Sequence, residues 1–139
     1  MKIVITGGDG FCGWASSLRL ANAGHEILII DNLIRRTIDQ DLNVFSLTAI
    51  SEISDRVQEA NKTIGNITYK NLDISKDYYD LSKLISNFKP NAIVHFAEQR
   101  SAPYSMIGEK ERRYTVENNL STTQNLLSCI VDIDTNIHF

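Results

Sequence analysis

Short runs of apolar, mostly β-branched residues punctuate this chain at Ile3-Val4-Ile5, Ile27-Leu28-Ile29-Ile30 and Ala92-Ile93-Val94, with a looser one beginning at Ile67. Each is too short for a helix and is bounded by glycine, proline or polar residues. They predict strands over Lys2–Thr6, Glu26–Asp31, Ile67–Asn71 and Ala92–Phe96. Runs without polar alternation predict strands covered on both faces. Between them the apolar period becomes helical. Trp14, Leu18 and Ala21 predict a helix from Phe11 to Ala23, stopped by Gly24. Leu81, Leu84, Ile85 and Phe88 predict the inner face of a helix over Lys76–Asn87, ended by Pro90. Asp39 to Ala60 reads as helical with breaks. Leu120, Leu126, Leu127 and Ile130 predict the inner face of a helix over Arg113–Val131. Ala97 to Glu109, with Pro103 and Gly108, predicts a functional loop, and Asn136 to Phe139 the opening of a fifth strand.

Strand and helix in alternation predict an α/β, Rossmann-type doubly wound parallel sheet, strand order 3-2-1-4-5, truncated at the fifth strand. The chain reads as one incomplete nucleotide-binding domain over 1–139. Ligands of such sheets lie beyond the carboxyl ends of the strands, near the switch between strands one and four.

Composition changes this picture little. Of 139 residues, 42% are hydrophobic and 22% charged, enough for a buried core. The formal net charge of -3 argues against a general nucleic-acid binder. No stretch predicts a membrane span or a leader, and the first strand starts at Lys2. Cys12 and Cys129 lie far apart without zinc or disulfide spacing. A cytoplasmic protein is expected, with neither metal nor membrane.

The chemistry concentrates at the first turn. Gly7, Gly10 and Gly13 form GxxGxxG, and Gly8, Gly10 and Gly13 form GxGxxG, between a strand and a helix. Such a turn needs a tight bend, a backbone open to phosphate and a helix packed against the strand. The helix N-terminus then offers free N–H groups to a diphosphate. Asp31 ends the second strand, where a carboxylate can accept hydrogen bonds from an adenosine ribose and repel a 2′-phosphate. This favours NAD over NADP. Arg35 and Arg36 complicate the choice, because arginines there can also receive a 2′-phosphate or touch the diphosphate. Asp73 either reaches the adenine amino group or caps a helix near Ser75. Cys12 reads as a small residue under the cofactor, and His95 as a satisfied core histidine.

These residues resemble the extended short-chain dehydrogenase/reductase family, the NAD-dependent nucleotide-sugar epimerases and dehydratases. The likeness lies in TGGDGFCG (Thr6 to Gly13), Asp31-Asn32-Leu33, Asp73-Ile74 and His95-Phe96-Ala97. Within that family, GGDGFCGWA, DNLIRR (Asp31 to Arg36), SLTAI (Ser46 to Ile50) and especially EQRSAPYSM (Glu98 to Met106) resemble the UDP-sulfoquinovose synthases. That resemblance implies a reaction of UDP-glucose with sulfite, the alternatives being another NAD-dependent nucleotide-sugar 4-epimerase or dehydratase, or a nucleotide-binding module without catalysis. The sugar is oxidised at C4, the ketone acidifies C5–H, and the C6 hydroxyl leaves as water. Sulfite then adds at C6 and C4 is reduced again, so NAD is recycled in place.

The resemblance also assigns roles. Gly7, Gly10, Phe11, Cys12 and Gly13 would surround the diphosphate, and Gly8 and Asp9 of the same turn would also bind the cofactor. Asp31 and Asn32 would hold the adenosine ribose, with Arg35 or Arg36 nearby. Asp73 and Ile74 would flank adenine. Phe96, Ala97 and Glu98 would line the nicotinamide side. Gln99, Arg100 and Ser101 would face sugar or sulfite, Arg100 being the strongest anion partner. Asn119, or its neighbour Asn118, fits the family's asparagine near the cofactor ribose. The family's catalytic tyrosine, lysine and threonine are expected beyond Phe139, as is the lobe that grips UDP. The chain therefore reads as an amino-terminal fragment, inactive alone. Tyr79 and Lys83 match the family's YxxxK only as a decoy, on a helix that covers the sheet. A homodimer is a further expectation from the family.

Overall fold

The computed structural model describes residues 1–139. Four parallel strands, β1 (Lys2–Thr6), β2 (Glu26–Asp31), β3 (Ile67–Asn71) and β4 (Ala92–His95), form one sheet in the order β3-β2-β1-β4. Beyond β4 the chain end adds a single parallel bridge, Ala92 to His138. The sheet therefore has the expected 3-2-1-4 order with the start of a fifth position.

Because side chains alternate along a strand, each apolar run feeds two cores. Val4, Leu28, Ile30 and Ile93 point to one face and Ile3, Ile5, Ile27 and Ile29 to the other. The helices α1 (Phe11–Asn22) and α3 (Ile53–Thr63) cover the second face through Ala21, Ile53 and Val57. The helices α4 (Tyr78–Phe88) and α6 (Glu109–Ile133) cover the first through Leu81, Ile85, Leu126, Cys129 and Ile130. Two further helices complete the set: α2 (Ile34–Asp41) and the one-turn α5 (Ala102–Ser105). α1 ends where Gly24 turns to φ +88°, a conformation that suits glycine.

Three expectations are corrected. The region read as broken helix over Asp39–Ala60 is two helices, α2 starting earlier and α3 ending later, with an irregular exposed segment between them. The last helix begins at Glu109, inside the expected loop, and α5 occupies that loop as well. On α6 two of the four expected inner residues, Leu126 and Ile130, are buried. Leu120 and Leu127 are exposed, whereas Thr122, Leu126, Cys129 and Ile130 face the core. The helical period was right, and the buried stripe keeps Leu126 and Ile130 but takes Thr122 and Cys129 in place of Leu120 and Leu127. Thr122 carries a hydroxyl into that core and satisfies it by donating to the Asn119 carbonyl, 3.1 Å away. No helix is long and apolar enough to cross a membrane.

Candidate nucleotide-binding site

The glycine turn joins β1 to α1 at the carboxyl edge of the sheet. Its first N–H, from Gly7, donates to the Ile30 carbonyl at 2.8 Å, anchoring the turn to β2. Gly7 has φ +72°, and a Cβ there would lie 2.6 Å from the Phe96 backbone. A Cβ on Gly8 would meet the Ile29 side chain at 2.3 Å, and one on Gly13 the Gly7 carbonyl oxygen at 2.2 Å. Glycine is thus required by close approach, with the first turn of α1 pressed onto the loop. The first helical bond runs from Trp14 N–H to Gly10 O, 2.9 Å. No side chain caps α1 and no acid occupies its first turn. The N–H groups ahead of Trp14 therefore remain the donors of an open helix end. Phe11 and Cys12 stand exposed beside it. A diphosphate fits this cradle in shape and charge.

Asp31 lies next to it. Its carboxylate accepts from Asp9 N–H at 2.9 Å and Leu33 N–H at 2.8 Å. Burial pushes its pKa up from the ordinary carboxylate value, against these two hydrogen bonds. Asn32 accepts from Ile34 N–H at 3.1 Å, at the start of α2. The two arginines separate in role. Arg35 is exposed and pairs with Asp39 at 3.6 Å along its own helix. Arg36 turns inward and grips Asp9.

Asp73 binds locally. One carboxylate oxygen accepts from the Ser75 N–H and hydroxyl, and the other lies 3.3 Å from Lys76 Nζ. Burial opposes the charge, but these partners win and lower its pKa. It therefore closes a turn ahead of α4, whose cap position is Asp77. The Ile74 side chain is buried in the core, which leaves only its backbone to face a base.

The segment after β4 is organised by two clusters. His95 sits with Nδ1 2.7 Å from Thr6 Oγ1 and Nε2 2.9 Å from Glu98 Oε1, and Thr123 donates to that carboxylate at 3.2 Å. Burial lowers the imidazole pKa, with Glu98 opposing. His95 is the satisfied histidine the sequence suggests, and it fixes Glu98. Phe96 is partly exposed at the mouth of the cradle. Asn119 accepts from Gln99 N–H at 2.8 Å and donates to Gln99 O at 3.1 Å, while Asn118 donates to Asn119. Gln99 Oε1 accepts from Ser101 N–H, and Ser101 Oγ from Tyr104 N–H. Arg100 projects outward, exposed, from this braced loop. A polar concavity of about 600 Å³ opens instead at the opposite edge of the sheet, lined by Met1, Lys2, Glu26 and Lys89. It holds none of the residues that suit a dinucleotide.

Sequence reading missed Arg56, whose guanidinium lies 4.5 Å from the Trp14 ring centroid and pairs with Asp9. No local pattern marks a residue that reaches the turn from α3. Tyr79 lies exposed on α4.

A parallel sheet of this order, with a glycine turn, an open helix end and an acid closing β2, defines a dinucleotide-binding domain. The chain belongs to the NAD dependent epimerase/dehydratase family, whose profile matches residues 3–139. NAD is accordingly its cofactor. It is 42% identical over 139 residues to a UDP-sulfoquinovose synthase of Sulfolobus acidocaldarius, covering 99% of this chain and 35% of that protein. It is 37% identical over 137 residues to the chloroplastic UDP-sulfoquinovose synthase of Spinacia oleracea, covering 99% of this chain and 28% of that protein. In fold it is similar to a UDP-glucose-4-epimerase from Stenotrophomonas maltophila solved with bound NAD, at TM-score 0.72 and 24% identity, covering 96% of this chain and 34% of that one. The chain thus spans about a third of the length of the proteins it matches.

Proposed function

We propose that this chain is the amino-terminal, NAD-holding part of an enzyme that makes UDP-sulfoquinovose from UDP-glucose and sulfite through a C4-keto sugar. The observation that carries this reading is the braced Gln99-Arg100-Ser101 loop at the carboxyl end of β4, in a chain 37% and 42% identical to two UDP-sulfoquinovose synthases. When bound, NAD supplies reversible oxidation of the sugar at C4. The chain's own residues hold and orient. Backbone N–H groups at the start of α1 take the diphosphate, and Asp31 takes the ribose hydroxyls. His95 and Asn119 fix the loop that presents Arg100, a guanidinium suited to an anionic sulfur nucleophile. The proton-transfer residues and the UDP-gripping lobe belong to the rest of the enzyme. The free cysteines Cys12 and Cys129 suit a reducing compartment, here read as the cytoplasm.

The test supplies UDP-glucose, NAD and sulfite to the complete gene product. UDP-sulfoquinovose is expected only with sulfite present. Arg100→Met is expected to raise the sulfite KM about tenfold, the loss of one charge-assisted contact, with NAD binding unchanged. Conversion to UDP-galactose without sulfite would overturn the reading in favour of a 4-epimerase.

A homodimer through α6 is part of the same proposal. Val116, Leu120, Leu127 and Val131 are exposed at helical spacing on its outer side. Such a stripe is expected to be covered. Leu120→Glu should convert a dimer to a folded monomer in sedimentation, and a monomeric parent chain would sink the idea.

A further inference from the structure

Asp9 stands inside the glycine turn, where a free carboxylate would repel a diphosphate. It is not free. Its two oxygens accept from Arg36 Nε and Nη2, both at 2.8 Å, and Arg56 also pairs with it. Arg36 donates further to the Ser51 carbonyl at 2.9 Å and to Glu52 at 3.2 Å. The Asp9 side chain is only 12% exposed, and those of Arg36 and Arg56 are 23% and 16%. The Asp9 N–H, meanwhile, donates to Asp31. One residue therefore ties the ribose acid to two guanidiniums beside it.

Two guanidiniums next to the acid that ends β2 are the chemistry that receives a 2′-phosphate. Here an internal carboxylate already holds that position with bidentate geometry. We propose that Asp9 is a cofactor-specificity determinant: it stands in for a 2′-phosphate, so that the site accepts only a nucleotide whose 2′-oxygen is a hydroxyl. The proposal rests on the NAD reading of the turn. A 2′-phosphate would have to displace a charge-assisted pair and then lie near two carboxylates. With Asp9 neutralised, Arg36 and Arg56 become partly buried cations without their shared anion, and an incoming phosphate restores it.

A residue that merely pins the turn would weaken every nucleotide alike when changed. A specificity determinant changes the ratio. The full chain and its variants are titrated with AMP, adenosine 2′,5′-bisphosphate, NAD and NADP, followed through backbone amide shifts. The parent is expected to prefer AMP to the bisphosphate and NAD to NADP. Asp9→Asn should move both preferences at least about tenfold toward the 2′-phosphorylated ligand, the size of one charged hydrogen bond. Asp9→Asn combined with Arg36→Gln should lose that gain. Arg36→Gln alone should leave the ratio within about threefold of the parent, because Asp9 already occupies that guanidinium.

Equal weakening of both ligand classes in Asp9→Asn overturns the proposal. So does a tenfold or larger selective loss of the 2′-phosphorylated ligand in Arg36→Gln alone, which would show that guanidinium free to take phosphate while Asp9 is in place; this arm decides the matter even if Asp9→Asn does not fold. Failure of NAD to perturb the amides of Gly7 to Gly13 in the parent would sink the cofactor reading separately, because the AMP and bisphosphate ratio is read without NAD.

Discussion

Gly13→Ala is expected to cost the fold about 3 kcal/mol and to remove NAD binding, the upper end of what overpacking does. The methyl group would arrive 2.2 Å from the Gly7 oxygen and 2.7 Å from the Gly8 Cα. Both neighbours are backbone, so no rotamer change relieves the contact. Either α1 backs away from the turn or the turn unfolds from β1, and both displace the N–H donors at the start of α1. Displacement by an ångström in such a cradle is worth about a hundredfold. Gly24→Ala provides the contrast. Its Cβ would touch nothing within 4 Å, but its φ of +88° is strained for alanine. It should cost about 1–2 kcal/mol and leave the NAD-induced amide shifts intact. Urea unfolding and the NAD titration read the two variants together. Equal losses of stability with equal retention of NAD would show that Gly13 is not where helix and loop meet.

Leu126→Ala is expected to lower the unfolding free energy by about 3 kcal/mol, in the range for a buried leucine whose cavity cannot collapse. Leu126 is fully buried in the cluster that joins α4 and α6 to Val4, Leu28 and Ile93. Both of its neighbouring helices are held to the same sheet face, so neither can move in without opening another gap. Leu120→Ala, on the opposite side of α6 and 68% exposed, should change stability by no more than about 0.5 kcal/mol at dilute protein. A larger loss at Leu120 than at Leu126 would mean that α6 is rotated about its axis.

That pair of residues also shows where sequence reading stops. The strands were legible because both sheet faces are covered, which writes each strand as an unbroken β-branched run. α1 was legible because Gly24 and the glycine turn mark both ends. α6 was legible as a helix, and its inner face only in part. Its inner face is carried by Thr122 and Cys129 as well as Leu126 and Ile130, and small residues weigh little in a hydrophobic pattern. The site divides in the same way. Gly7 to Gly13 and Asp31 form a local pattern with a known physical demand. The pairing of Asp9 with Arg36 and Arg56 spans 27 and 47 positions, and no spacing rule announces it. Arg35 and Arg36 are adjacent and identical in sequence, so only the turn of α2 decides which one faces inward.

The Asn119 side chain stands where a neighbouring strand would. A strand edge offers alternating N–H and C=O, and a neighbouring strand answers both. Gln99 has left the sheet, yet its N–H and C=O are still answered, by the two ends of one side-chain amide on a helix. Asn119 is a single rung of ladder without a strand behind it. Aspartate could copy only the accepting half, and alanine neither. The loop that carries Arg100 is therefore registered to α6 rather than to the sheet, and any contact that tilts that long helix is felt at Arg100.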